Sequence, residues 1–522
     1  MFNKVEKILF YALVGAHLLP LILLDFFVTH DGPAHTYNTV LIESLHSQHP
    51  QPASTYFISN PDPQPNWAYN AIMLATDKLF SPNISERIII GMIILLMAFS
   101  FRALIVHLNP DNIFLSYLVL PFLFSFHLYI GFFNFCIGAA VFFFLLWFLL
   151  KKGDKPKLFF FITLSLLSFV LLFSHAFSFM LFCLCLAAVL IAKNRSAGNT
   201  LFSKQFLKKM IGCCLALLPS GLFCIYFLFT KYDDYGKGIH WLDISQSLKY
   251  IYECGPAITL THDPEQFYGI TVSAMMLVNI FLLIGSSSGR SGGRNIFMSV
   301  WLFLSLITLL LYFALPDTMG VWGFISLRTL MFFFLLLPLW LAHGKFPAWW
   351  KYVQVTILAV MISLRLNYQY GLSKNLDEDA KEMFSLNVKM KPNSVVLPLD
   401  YYTNWMHDNI SNYLGTQNNI IVLDNYEAVF PHFPLMWRKE FDPYVLLGNF
   451  SGRTPPCATM DKFENVAGLR IDYVVRWMYQ PVAAGSTPDS CTKQINEYLE
   501  KNYRSIARSP KGMAELFERN GR

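Results

Sequence analysis

Apolar positions along this chain come in long uninterrupted runs, not in the two-residue alternation of a half-buried strand. Many of the runs approach the roughly 20 residues that an α-helix needs to cross a bilayer. Eleven membrane spans are expected, near 8–28, 88–107, 113–130, 132–150, 158–173, 176–192, 210–230, 270–285, 296–315, 324–343 and 350–366. Lys4 and Lys7 precede the first run, as in a signal peptide, but no small-residue cleavage site follows. It therefore reads as a retained anchor. The 113–150 stretch also reads as a broken helix, with its bend at Gly131, Phe132, Phe133 and Asn134.

Polar sequence interrupts the pattern in three places long enough to fold: 29–87, 231–269 and 367–522. The last is a domain in its own right by length. Its strand-like runs are 394–397, 420–423 and 473–475, and 503–507 with 514–517 reads as a strand pair across a turn. Helical stretches at 377–386 and 492–501 complete an α/β pattern. The Gly/Ser/Arg segment 285–293 reads as a flexible inner loop.

Composition strengthens the membrane reading. Of 522 residues, 54% are hydrophobic and 14% charged, with mean hydropathy +0.42. A soluble domain carries about 25% charged residues, so disorder and an ordinary cytosolic enzyme are excluded. From Asn367 onward there are 17 basic and 18 acidic residues, so the tail carries −1 and the apolar part +7, which together make the net +6. No basic face for nucleic acid is expected. With the N-terminus inside, the inner segments hold 16 Lys and Arg and the outer ones 6. The positive-inside rule then puts the tail outside.

The expected fold is thus a polytopic α-helical membrane protein of about 11 transmembrane helices. It carries extracytoplasmic juxtamembrane helices and a C-terminal soluble α/β domain. Residues 1–366 form the membrane domain and 367–522 the outer domain. The nine cysteines show no metal spacing. An outside tail permits a bridge between Cys457 and Cys491, with Cys254 as a third partner to consider.

The densest polar signal opens the first outer loop, from Thr29 through His30, Asp31, Gly32, Pro33, Ala34 and His35 to Asn38. Asp31 is placed as an N-cap, with Pro33 in the first turn of a helix to about Leu45. Asp31 and His35 are four apart and share a face, and Asn38 follows one turn later. A Pro-rich turn at 60–67 then leads into a surface helix through Leu79. Glu86, Arg87 and Ile88 enter the next span.

This order resembles the GT-C superfamily of integral-membrane glycosyltransferases, which use polyprenyl-phosphate-linked sugars. The Gly131–Phe135 span opening, the Ser174-His175-Ala176 hairpin and Arg328 near the outer end of a late span extend the similarity. The resemblance implies transfer of a sugar from a polyprenyl (pyro)phosphate carrier to an acceptor hydroxyl, by inverting displacement. Asp31 would be the catalytic base, supported by His35 and Asn38, and Arg328 would bind the carrier phosphate. Asp25 is a second acid, and Arg87, Lys231, His262 and Asp263 are weaker site candidates. The acceptor is a glycan, a lipid or a protein. A divalent cation, Mg or Mn, fits some members, but the paired Asp of metal-using members is missing from the first loop and no metal ligand is assigned. The expected setting is a bacterial inner membrane, with a cytoplasmic N-terminus and a periplasmic tail.

Arg328 also stands out on physical grounds, apart from the resemblance. A charge near lipid is costly, ~2.5–3.5 kcal/mol at a helix centre. Arg328, among Phe324, Leu327, Leu330 and Met331, needs an anion or a route to the headgroups. His407 and Asp408 read as surface polar residues, and His46 and His49 as a solvated loop. Two alternatives remain: a transporter or flippase of a lipid-linked substrate, and a non-catalytic membrane assembly protein. Transporters place paired charges inside several spans. Here the spans look nearly charge-free and the polar groups crowd one face.

Overall fold

The structure is a computed structural model describing residues 2–49, 51–153, 156–198, 200–201, 203–231, 238–287, 296–320, 322–452, 454–480 and 489–521. The chain divides into two compact units. One comprises residues 1–19 and 90–370, the other 20–89 and 371–522. The first outer loop thus belongs to the same unit as the tail.

The first unit is helical. Among the described residues, seven helical stretches are long and apolar enough to cross a bilayer: 4–23, 82–108, 110–129, 133–152, 176–196, 204–230 and 262–285. The expected count of about eleven is not reached. Three of the expected runs fall in shorter apolar helices, Leu158–Ser174, Ser299–Ala314 and Ile325–Leu341. The expected 350–366 span lies within the 37-residue helix Ala348–Phe384, where Lys351, Gln354 and Arg365 interrupt the apolar run. Most of the inner loop expected at 285–293 lies outside the described residues.

The 113–150 stretch is broken. A 3-10 segment, Pro110–Phe122, contains Pro121, and a short helix, Phe126–Tyr129, follows. Gly131 turns the chain at φ +89° into the helix Phe133–Lys152, a backbone angle that favours glycine. Such breaks leave carbonyls without helical partners. Arg365, fully buried, donates to the carbonyls of Pro121 and Phe124 at 2.7 and 2.8 Å and to that of Ala257. Its guanidinium also lies 3.8 Å from Glu265. A second buried pair joins Arg102 to Glu6 at 2.7 Å, with the guanidinium 4.3 Å from the Phe10 ring. The apolar part is therefore not charge-free. These two buried charges are paired, which is the condition for tolerating them.

The second unit is built on a five-stranded sheet. The strand Val395–Asp400 is the middle one of three parallel strands, pairing with Ile421–Val422 on one side and Tyr473–Trp477 on the other. Ala514–Arg519 continues the sheet antiparallel to Tyr473–Trp477, and Tyr503–Arg508 forms the edge. The helix Ser490–Asn502 leads into that edge strand. Cys457 and Cys491 are bridged, with their Cα atoms 5.0 Å apart.

The first loop is sewn into this unit by backbone pairing. Phe57–Ser59 forms an antiparallel pair with Leu435–Trp437. The Asn60 side chain donates to the carbonyls of Pro431 and Phe433, and the Trp67 indole donates to that of His432. The Tyr37 hydroxyl donates to the Ile420 carbonyl at 3.1 Å and accepts the Val422 N–H at 2.9 Å. A buried loop needs partners for its backbone groups, and here the tail supplies many of them.

Candidate active site

The helix Gly32–Leu45 starts where Pro33 predicts, but the capping role belongs to a different residue. Thr29 Oγ1 accepts the Gly32 N–H at 3.1 Å, while the Asp31 side chain makes no cap bond. The Asp31 carboxylate is left for another partner. It accepts the Tyr426 hydroxyl at 2.6 Å and lies 3.5 Å from His30 Nε2. Asp31 is only 7% exposed. Burial, and then the Asp31 charge, push the Tyr426 phenol well above its usual range, so it stays protonated and donates.

Helical spacing aligns the next two expected residues with Asp31. His35 does not turn to Asp31. Its Nδ1 lies 2.7 Å from Glu427 Oε1. Asn38 donates to Glu427 Oε2 at 2.6 Å and accepts from the Asn425 side chain at 2.7 Å. The i, i+4, i+7 row of the helix thus meets three consecutive tail residues, Asn425, Tyr426 and Glu427. Burial raises the Glu427 carboxyl, while the facing His35 and the Asn38 bond hold it down.

Beside this row lies a cavity of about 270 Å³ walled by Asp400, Asp408, Asp424, Tyr402, Trp405 and Phe450. That is near the lower end of ligand-pocket sizes, ~300 Å³ and upward. Its position follows from the sheet. Asp400 ends the central parallel strand, and Asp424 lies just past Ile421–Val422. The chain moves from the central strand to a neighbour on one side, and later to one on the other. Ligands of open α/β sheets bind at such a switch point, outside the carboxyl ends of the strands.

His30 links the cavity to Asp31. Its ring lies 5.3 Å from that of Trp405, and its Nδ1 is 2.7 Å from the Trp405 carbonyl. Asn409 donates to the His30 carbonyl at 3.0 Å. Burial pushes the Asp400 carboxyl up to about 7 against the pull of its bond from the Tyr402 N–H. Burial likewise pushes Asp424 up to about 6, although Ser451 and Tyr444 counter it. Asp408 is also raised by burial, with His30 and His407 opposing and the Asp31 charge adding to the rise. The cavity can therefore accept hydrogen bonds at several carboxyls and present flat aromatic faces.

Arg328 belongs to the first unit, in the helix Ile325–Leu341. Its guanidinium carbon lies 4.3 Å from the Phe132 ring centre and 5.9 Å from that of Phe135. Its Nε is buried without a hydrogen-bond partner among the described residues. His127, also fully buried, and His175 are its neighbours, and no carboxylate forms an ion pair with it among the described residues. Asp317 acts on it electrostatically without an ion-pair contact. The cation–π contacts offset part of its desolvation.

The weaker candidates sit elsewhere. Asp25 is exposed and pairs with Lys381 at 2.7 Å. Arg87 donates to the carbonyls of Leu21 and Leu24, which close the end of the first helix. His262 lies 3.0 Å from Glu253 and 3.1 Å from the exposed Asp263. Lys231 ends the helix Lys204–Lys231, and its side chain, with Asp233 and Asp234, lies outside the described residues. Among the described residues, no group of three or more His, Cys, Asp and Glu is placed to hold a metal ion. Mg or Mn is therefore assigned to none of them.

Sequence reasoning missed His30, Tyr426 and Glu427. Of the two tail residues read as surface polar, Asp408 is exposed at the cavity wall, whereas His407 is buried. For Asp400 and Asp424 a signal was present, since each lies at or just after a strand legible in the sequence. No protein-family model matches the chain, and no curated protein sequence matches it.

Proposed function

We propose that the protein is a membrane glycosyltransferase that moves a sugar from a polyprenyl-(pyro)phosphate carrier to an acceptor hydroxyl. The observation that carries this reading is the environment of Asp31. It is a buried carboxylate relieved of capping by Thr29, oriented by Tyr426, and joined through His30 to an acidic, aromatic-walled cavity.

In the proposed step, the acceptor oxygen gives its proton to Asp31 as its bond to the anomeric carbon forms. The bond from that carbon to the carrier phosphate breaks, and its electron pair leaves with the phosphate oxygen. The charge developing there calls for a cation, the role that the resemblance gives to Arg328. Tyr426 and His30 hold the Asp31 carboxylate in one orientation, while the Glu427 interactions with His35 and Asn38 fix the helix that carries it. The cavity aromatics and carboxyls take up a sugar ring. The enzyme works in a bilayer, with the N-terminus on the cytoplasmic side and the tail periplasmic.

The test is a transfer assay on purified protein in lipid discs, with Asp31→Asn against wild type. Loss of transfer with the thermal transition retained supports the base assignment, and near-normal transfer refutes it. The transporter alternative draws on the buried pairs Arg102–Glu6 and Arg365–Glu265, since intramembrane charges often mark transport routes. Here Arg365 is occupied by backbone carbonyls, which suits a structural role.

A further inference from the structure

Between the span candidates ending at residue 230 and beginning at 262 lies a nine-residue helix, Ile244–Tyr252, capped by Asp243 Oδ1, which accepts the Gln246 N–H at 2.8 Å. Its two sides differ sharply. Ile244, Leu248 and Tyr252 recur at the i, i+4 interval of one helix face, and they are 66%, 55% and 59% exposed. Trp241, in the extended chain just ahead of the helix, is 58% exposed, with its indole N–H held by the Ala314 carbonyl. Phe267, at the start of the next span, is also exposed. An apolar row this open is costly in water. A stretch of chain this short between two spans keeps the helix close to the bilayer. Trp241 ahead of the row and Tyr252 at its end are the side chains that favour the headgroup boundary.

The other side of the segment is fastened to the chain that leads to Arg328. Ile239 and His240 pair antiparallel with Met319 and Thr318. The Tyr312 hydroxyl donates to the Ser247 carbonyl at 2.8 Å. Gly255 packs so tightly that an added Cβ would lie 2.9 Å from the Leu327 side chain. Leu327 immediately precedes Arg328.

We propose that Ile244–Tyr252 is an interfacial helix seated in the headgroup region of the bilayer. Trp241, Ile244, Leu248 and Tyr252 face the acyl chains, and the seated helix holds the start of the Arg328 helix at that depth. The lipid contact stands on the exposed row and the neighbouring spans. Only its consequence for Arg328 rests on the proposed function.

A photoreactive benzoylphenylalanine placed singly at Leu248, Gln246 or Phe281 tests this in intact protein held in phosphatidylethanolamine/phosphatidylglycerol discs. Phe281, 70% exposed on the span beginning at His262, is the lipid-facing reference. Gln246 lies on the opposite side of the short helix from Leu248. The expected result is phospholipid adducts at Leu248 and Phe281, with loss of them at Gln246. Adducts at Phe281 but not at Leu248 would overturn the proposal, as would Leu248 adducts made mainly to a protein chain. Because the readout is a lipid mass and not sugar transfer, the outcome is independent of the Asp31 chemistry. A variant that fails to fold would lose the Phe281-type reference signal from a second label placed there.

Discussion

Asp31 shows how a residue's role depends on what its neighbours already do. By sequence it is an ordinary helix cap, and Pro33 beside it reinforces that reading. Once Thr29 takes the Gly32 N–H, the carboxylate is released to Tyr426. A hydrogen bond to a charged group contributes ~1.5–3 kcal/mol. Tyr426→Phe should therefore slow transfer by roughly tenfold or more while leaving the fold intact, as read by kcat against KM and by thermal melting. Thr29→Ala should cost ~1 kcal/mol of stability, the usual loss of an N-cap, and a melt of the two proteins side by side checks it. The Asp31–His35–Asn38 row was legible as a row in the sequence. Its partners were not, because nothing local links residue 31 to residue 426.

At the scale of elements, the parallel strands and their acidic ends determine the electrostatics of the second unit. Asp400 has a folded-state pKa of about 7, above its unfolded value near 3.8. The native state therefore binds the proton more tightly between those values, and stability falls as pH rises from about 4 to about 7. Asp400→Asn keeps an oxygen for the Tyr402 N–H and removes the charge. Its transition should lie above wild type at pH 8, and the difference should vanish near pH 4 in paired thermal scans.

Packing between loop and tail gives a second element-level prediction. A Cβ at Gly415 would lie within 2.1–2.7 Å of the Tyr37 ring. Gly415→Ala should cost ~1–3 kcal/mol by overpacking, visible in denaturant melts. Strand positions were readable from the sequence because β-branched runs and turn residues punctuate the tail. The pairing of Phe57–Ser59 with Leu435–Trp437 was not, since a three-residue strand carries too little pattern.

On the scale of the whole molecule, the apolar runs point to a bilayer as solvent, and the expected count of crossings is met in part among the described residues. Seven described helices meet the length and hydropathy needed to span. The runs at 158–173 and 324–343 lie in helices of 17 residues, and that at 350–366 lies in a longer helix carrying Lys351, Gln354 and Arg365. The division of the chain also differs from a simple reading along it. Residues 20–89 group with 371–522, because buried polar contacts and strand pairing outweigh proximity in sequence. Topology can be read independently of activity: a C-terminal alkaline phosphatase fusion should be active and an N-terminal one inactive.

Purified protein in lipid discs can be offered a panel of sugars linked to polyprenyl phosphate and polyprenyl pyrophosphate, with a mixed acceptor. Released polyprenyl phosphate or pyrophosphate is the readout. It should appear with at least one donor for wild type and be lost in Asp31→Asn at an unchanged melting temperature. Release by Asp31→Asn at the wild-type rate, or no release from any donor by wild type, would contradict it.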